Sequence, residues 1–203
     1  MEISFFFNPV TTLEIGMPYP HKYQTLGNAM DIYTEQFPDW EQADIVLFGC
    51  REDRGRVGEQ GCSEAPDVIR SYLYSLAIPA KAVRIADLGN LIEKASLEDV
   101  YYTVRYITEV LLRHGKIVVM LGGTQDLTYA QYQALEMLEK PVEYVSIDHS
   151  LDIFDSEVSL TNASFNHKII VHHPNYLNHL TILGVQNYLT TPEELEVMRA
   201  LNF

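Results

Sequence analysis

The stretch that decides the fold runs over residues 116–155. It contains KIVVMLGGTQDL at 116–127 and PVEYVSIDHSLDIFD at 141–155. The two apolar runs, Ile117–Leu121 and 144–147, are rich in β-branched and aromatic residues and are bounded by turn residues, so each predicts a buried strand. Polar residues follow each run directly. Because functional groups collect beyond the carboxyl ends of strands in an open parallel sheet, both loops are predicted to face one crevice.

Strand and helix patterns alternate on both sides of this stretch. Apolar runs at 43–49, 83–88 and 180–185 predict further strands, and Gly89 and Asn90 are predicted to turn the chain. Helix starts are predicted at Pro66, after Ser96, and at Pro192 behind the hydroxyl of Thr191. Residues 168–171 fit either a short strand or the end of a helix. The alternation predicts a three-layer α/β/α sandwich on a mostly parallel sheet.

Length and charge limit the classes of protein. With 203 residues the chain is predicted to form one α/β domain over 1–203, with an irregular N-terminal segment at 1–42 and the core at 43–203. A net charge of −14 argues against nucleic-acid binding, because nothing neutralises phosphates. No apolar run approaches the length of a membrane span, and the N-terminus lacks the features of a signal peptide. We therefore expect a cytoplasmic protein without a membrane or nucleic-acid partner.

The two strand-end loops resemble the first two metal motifs of the ureohydrolase family, which includes arginase, agmatinase and formimidoylglutamase. That family carries Gly-Gly-Asp-His after one strand and Asp-Ala-His-x-Asp after the next. Here Gly122 and Gly123 match, but Gln125 stands at the first His position. Asp148 and Asp152 keep the spacing of the second motif, but Ser150 stands at its His position. The third family motif, Asp-x-Asp after a later strand, does not occur in this sequence.

A second part of the resemblance lies after the predicted strand at 43–49. A polar loop leads to Ala65-Pro66 and then Ile69-Arg70, as in the family's first helix. The loop at 51–56 is predicted to be solvated and salt-bridged, with a subunit-side or substrate-side loop as the alternative. The resemblance covers 43–203 and implies an arginase-like fold that is incomplete at the C-terminus. It also implies oligomers, and substrate contacts from Asn162 and Ser164.

The resemblance further implies two manganese ions that activate a bridging hydroxide against an amidine or guanidinium carbon. Asp148 and Asp152 are the candidate ligands, and Asp126 is a poorer one because it lies one residue late. The alternative is that both aspartates hydrogen-bond backbone amides of the following loop. The sequence leaves these two interpretations equal. The histidines are predicted to be packing or surface residues, not ligands; they are His167, His172, His173 and His179.

Two functions therefore stay open. The first is hydrolysis of C–N bonds in linear amidines, as in formimidoylglutamase, on a small-molecule substrate with manganese. The second is a non-catalytic relative, a pseudoenzyme that serves as a subunit or a small-molecule-binding scaffold. Loss of two ligand positions favours the second function for this chain.

Overall fold

The computed structural model describes residues 2–11, 25–58, 61–78, 83–154 and 159–200. These residues form two compact units. Unit 1 is drawn from residues 1–54 and 60–124, and unit 2 from residues 55–59 and 125–203. Within the ranges just given, no helix is long and apolar enough to cross a membrane.

Unit 1 is built on a mostly parallel sheet. Its strands are β1 (Phe7–Asn8), β2 (Asp31–Ile32), β3 (Ile45–Gly49), β4 (Ile85–Leu91) and β5 (Ile117–Leu121). The order is β1-β4-β3-β5, and β2 also pairs with β4. Only β1 runs antiparallel, so β3, β4 and β5 deliver their carboxyl ends to the same side of the sheet.

Helices cover the unit 1 sheet because its central strand has two apolar faces. The helices are α1 (Leu26–Ala29), α2 (Ala65–Leu73) and α3 (Leu97–Arg113). Leu47 of β3 packs in one cluster with Met30 and Tyr74. The neighbouring side chains Val46 and Phe48, which point to the other face, are also fully buried. Helix α3 begins as predicted, with the Ser96 hydroxyl accepting a hydrogen bond from the Asp99 amide at 3.1 Å.

A buried charge cluster ties α2 to β4. The Arg70 guanidinium donates from Nε and Nη2 to the two carboxylate oxygens of Asp87, at 2.9 Å each. Arg70 Nη1 donates to Asn90 Oδ1 at 2.5 Å, and the Tyr74 hydroxyl donates to Asp87 at 2.9 Å. Arg70 and Asp87 are both fully buried. The helix therefore docks through an ion pair.

Unit 2 contains a two-stranded parallel sheet of β6 (Val142–Ile147) and β7 (Leu177–Leu183). Its helices are α4 (Leu127–Leu135), α5 (Phe165–Ile170) and α6 (Pro192–Ala200). Tyr132 of α4 packs with Phe165 and Ile169 of α5, and β6 lies against this cluster. Helix α6 begins with a reciprocal cap in which Thr191 and Glu194 each accept a hydrogen bond from the other's amide.

One face of the β6–β7 pair is exposed within the described part of the chain. Ile147 is 85% exposed, Val145 60% and Leu183 50%. The sequence predicted buried strands, and this is wrong for these residues. Apolar content predicts a buried strand only where other elements cover both of its faces.

Other predictions need smaller corrections. Gly89 and Asn90 do not turn the chain, because β4 continues through them to Leu91. Gly89 has φ of 81°, and a Cβ there would lie 2.1 Å from the carbonyl oxygen of Asn8. The glycine thus allows β1 to approach an irregular point in β4. Of the two alternatives at 168–171, the helix is correct. Helix α2 begins at Ala65, one residue before the predicted start at Pro66, and Ile69 on it is exposed while Arg70 is buried.

Candidate functional site

Asp148 follows the last residue of β6, where the sequence predicted a functional loop. Its amide donates to the Leu183 carbonyl at 2.9 Å, so the backbone is held at the end of the strand pair. The side chain is 7% exposed. One carboxylate oxygen accepts from the amides of His149, at 2.6 Å, and Ser150, at 3.3 Å. The other accepts from the side-chain amide of Gln125.

The surroundings of Asp148 keep its carboxylate ionised. Burial by itself would raise the pKa of Asp148. The hydrogen bonds from Gln125 and from the amides of Ser150 and His149 outweigh this effect and lower the pKa below its usual range. Residues that follow β5 and residues that follow β6 therefore meet, as the sequence predicted. They meet through an amide and a carboxylate.

Asp152 is the second candidate ligand and has a different environment. It is buried, and its backbone lies in the left-handed region with φ of 51°. One carboxylate oxygen accepts from the Ser150 hydroxyl at 2.9 Å, and the other, Oδ2, is buried without a hydrogen-bond partner. Burial raises the pKa of Asp152 to about 6, against the lowering effect of the Ser150 hydroxyl, and the charge of Asp148 adds to the rise.

Asp126 is fully buried and lies beside the backbone of Gly55. A Cβ on Gly55 would come within 2.1 Å of the Asp126 carboxylate. Gly55 is therefore packed against Asp126. In the described ranges, no group of three or more His, Cys, Asp or Glu residues is placed to hold a metal. The structure thus does not assemble Asp126 with Asp148 and Asp152 into a ligand set.

The two residues predicted to contact substrate hold loops together. Asn162 Oδ1 accepts from the Val57 amide at 2.8 Å, and the Asn162 amide donates to the Gly55 carbonyl at 3.0 Å. Ser164 is fully buried, and its hydroxyl accepts from the Thr161 amide at 3.0 Å. Their predicted role with substrate stays a prediction.

The histidines lie in separate environments. His172 is hydrogen-bonded to Glu136 and, at 2.8 Å, to the Tyr129 hydroxyl. His179 forms an exposed pair with Glu143 at 3.2 Å. His149 is 71% exposed, with Nδ1 3.1 Å from the Ser150 hydroxyl.

A cavity of about 260 Å³ lies in unit 1 beyond the carboxyl ends of β3 and β4. Part of its wall is Glu52, which the sequence placed in a solvated loop and which is buried. Arg54 donates to both oxygens of the Glu52 carboxylate, at 2.9 and 2.6 Å, and to the carbonyls of Lys94 and Ala95. Burial opposes the effect of these hydrogen bonds, but they lower the pKa of Glu52 overall. Salt bridging was predicted correctly, but burial of the acid was missed.

Comparison with known proteins agrees with this architecture. Residues 43–203 match the model of the arginase family. The chain is 29% identical over 183 residues to a formimidoylglutamase from Macrococcus caseolyticus, covering 87% of this chain and 58% of that protein. It is 29% identical over 141 residues to an agmatinase from Pyrococcus horikoshii, covering 65% of this chain and 47% of the relative.

Solved structures share the fold. A formimidoylglutamase from Bacillus subtilis aligns with a TM-score of 0.77 and 16% identity, over 91% of this chain and 59% of that one. A formiminoglutamase from Trypanosoma cruzi that contains Mn²⁺ aligns with a TM-score of 0.76 and 19% identity, over 87% and 62%. The chain therefore belongs to the arginase family. It spans 58% of the length of the Macrococcus caseolyticus relative and 46% of the length of a formimidoylglutamase from Salmonella arizonae.

The family implies manganese, and the donor set of this chain can be compared with that metal. A pair of divalent ions needs several anionic or imidazole ligands that converge on each ion. Asp148 already accepts hydrogen bonds at both oxygens, including one from Gln125, and Ser150 lies between the two aspartates. Among Asp148, Ser150 and Asp152, the buried and unpartnered Oδ2 of Asp152 is the atom that suits a cation. One such oxygen is too few, so these residues do not fit the dinuclear manganese site.

Proposed function

We propose that this protein is a non-catalytic member of the arginase family. It keeps the strand-end loops of the fold as a scaffold that binds a small molecule or neighbouring copies of itself. It does not hydrolyse amidines. A cytoplasmic location and a homo-oligomeric state belong to the same proposal.

The observation that carries the proposal is the hydrogen bond from the Gln125 amide to the Asp148 carboxylate. Gln125 occupies a position where the family motif has a histidine ligand. Hydrolysis in this family depends on a water molecule whose pKa is lowered by bound metal. In this chain the side-chain amide of Gln125 donates to the Asp148 carboxylate, which the metal would need as a ligand. The hydroxyl of Ser150 donates to Asp152, the second aspartate.

A second candidate is an amidine hydrolase of the formimidoylglutamase type with an altered metal site. It is favoured by the closeness of Asp148 and Asp152, whose carboxylates are joined through one serine hydroxyl, and by the unpartnered Asp152 oxygen. Two carboxylates with waters can hold a loosely bound divalent ion. The fold and the relatives support this candidate equally, so the metal content has to decide.

The experiment measures metal content and hydrolysis in the same preparation. The protein is incubated with Mn²⁺, desalted and analysed for manganese, and is then assayed with formiminoglutamate, agmatine, arginine and a guanidino acid. The formimidoylglutamase from Macrococcus caseolyticus is treated identically as the positive control. We expect manganese far below one ion per chain and no product above the blank.

Near-stoichiometric manganese together with turnover of any of these substrates would overturn the proposal in favour of the hydrolase. An absence of both would leave the scaffold function. The protein would then be tested for oligomeric state and for bound small molecules.

A further inference from the structure

We infer that Gln125 and Ser150 replace a metal in holding the loop after β6, so that this loop folds around hydrogen bonds instead of a cation. The inference deepens the proposed function and rests on it. Gln125 and Ser150, which stand at the two lost ligand positions, thereby have a positive structural role.

Asp148 is the group that needs compensation. A buried carboxylate is costly unless hydrogen bonds or an opposite charge replace its hydration. The described residues provide no Lys or Arg partner for it. Its Oδ1 accepts from the amides of His149 and Ser150, and its Oδ2 accepts from Gln125. Neutral donors therefore satisfy both oxygens.

The orientation of the Gln125 amide follows from the same contact. If the amide were rotated by half a turn, its carbonyl oxygen would face the Asp148 carboxylate, and two acceptors would repel each other. The nitrogen must therefore point toward Asp148. A divalent cation at Oδ2 would have to displace this nitrogen. Gln125 thus takes the place of a cation at this oxygen and cannot ligate it in this orientation.

Ser150 provides the neutral hydrogen-bond donor for the second carboxylate, that of Asp152. Its hydroxyl donates to Asp152 Oδ1 at 2.9 Å, and its amide donates to Asp148. One residue thus links the two aspartates across a loop of five residues. Asp152 itself lies in the left-handed backbone conformation, with φ of 51°. The pair Gln125 and Ser150 forms one network, which predicts that the loss of either residue loosens the whole loop.

The test removes the Gln125 amide while keeping its volume. Gln125→Met is compared with Gln133→Met, the same change at a partly buried glutamine of α4, the helix that begins two residues after the exposed Gln125. Melting is measured in EDTA and in Mn²⁺, and hydrogen exchange is measured at the amides of His149 and Ser150. Ser150→Ala is the second variant, and it keeps the experiment decisive if Gln125→Met does not fold.

We expect Gln125→Met to lower the melting temperature by about 3–6 °C, the lower end of the range for losing a hydrogen bond to a charged group in a chain of this size, because Gln125 is exposed and water replaces part of its amide. Exchange at the His149 and Ser150 amides should accelerate by about tenfold or more, because their acceptor is no longer held. Ser150→Ala should accelerate exchange at His149 in the same way. Gln133→Met should change neither quantity. The unchanged protein should melt at the same temperature in EDTA and in Mn²⁺.

The inference is overturned if Gln125→Met behaves like Gln133→Met, or if Mn²⁺ stabilises the unchanged protein. Its failure is distinguishable from failure of the proposed function. Accelerated exchange in Gln125→Met, combined with hydrolysis by the unchanged protein and no change of its melting temperature in Mn²⁺, would keep the network and reject the scaffold. If exchange in Gln125→Met is unchanged and the unchanged protein shows neither bound metal nor turnover, the network is rejected and the scaffold is kept.

Discussion

Asp87 in unit 1 and Asp152 in unit 2 are both buried carboxyl groups, and the chain compensates them in opposite ways. Asp87 receives two hydrogen bonds from Arg70 and one each from the Tyr74 hydroxyl and the Gly89 amide, all at 2.9 Å. The Asp152 carboxylate accepts a hydrogen bond from the Ser150 hydroxyl at one oxygen, and its other oxygen has no hydrogen-bond partner.

The difference shows what a buried acid needs. Burial tends to lower the pKa of Arg70, but the pairing with Asp87 outweighs this effect and raises the pKa. For Asp152, burial dominates and the pKa rises to about 6. The first carboxylate specifies how a helix docks on the sheet. The second costs stability whenever it is ionised.

The largest effect should come from breaking the unit 1 pair. Arg70→Met leaves Asp87 buried without its counter-charge, and we expect a loss of about 3–5 kcal/mol in the free energy of unfolding. Denaturation by urea, followed by a probe in unit 1, measures this loss. If the variant is as stable as the unchanged protein, the cluster does not hold α2 to the sheet. Arg70→Met combined with Asp87→Asn should recover part of the loss.

Asp152→Asn should raise the free energy of unfolding, whereas Arg70→Met lowers it. The pKa of Asp152 in the folded protein, about 6, lies above its ordinary value of 3.8. Its contribution to stability is therefore fully present below about pH 4 and is lost as the pH rises through 6. At pH 8 the substitution should stabilise the protein by about 1–3 kcal/mol, because it removes a charge that is costly to bury.

The check for Asp152→Asn is a pair of unfolding curves at pH 8 and at pH 4.5. The gain should shrink at the lower pH, where the aspartate is mostly neutral. An equal gain in the free energy of unfolding at pH 8 and pH 4.5 would mean that packing, and not the charge of Asp152, accounts for the effect of the substitution. Asp87→Asn in the same experiment should destabilise at pH 8.

The smallest effect is expected at an exposed pair. Arg113 donates to Glu109 one turn earlier on α3 at 3.1 Å, and its side chain is 54% exposed. Water and salt screen such a pair, so Arg113→Ala should cost about 0.2–0.5 kcal/mol. A loss as large as that of Arg70→Met would show that burial does not separate the two arginines.

The order of strands and helices was predictable, because hydrophobic runs and helix caps are local signals. Ile117–Leu121 is a strand as predicted, although Ile117 is exposed where a buried strand was predicted, and Ser96 and Thr191 cap helices as predicted. The arginase-family assignment also followed from short motifs. Burial of particular side chains was not predictable, since it depends on which elements cover a face. Ile147 and Ile69 are exposed for this reason, and Arg70 is buried.

The candidate site was predictable in position but not in chemistry. Both residues follow predicted parallel strands, so the sequence placed Asp148 and Gln125 in one region, and a hydrogen bond joins them in the structure. The sequence marked Gln125 only as a missing ligand. The contact between its amide and Asp148 depends on the side-chain geometry of two residues that lie 23 positions apart, and sequence spacing does not predict such a contact. The burial of Glu52 beneath Arg54 was missed because a run of charged residues usually indicates solvent.

The exposed face of β6 and β7 governs how this chain behaves in concentrated solution. An exposed apolar row lies beside a strand edge and consists of Val145, Ile147 and Leu183. This combination favours self-association of the protein. A net charge of −14 opposes it by mutual repulsion. That repulsion shortens to a range of about 10 Å at 0.1 M ionic strength. Added salt therefore works against the colloidal stability of this chain, and dilute buffer well above its isoelectric point protects it.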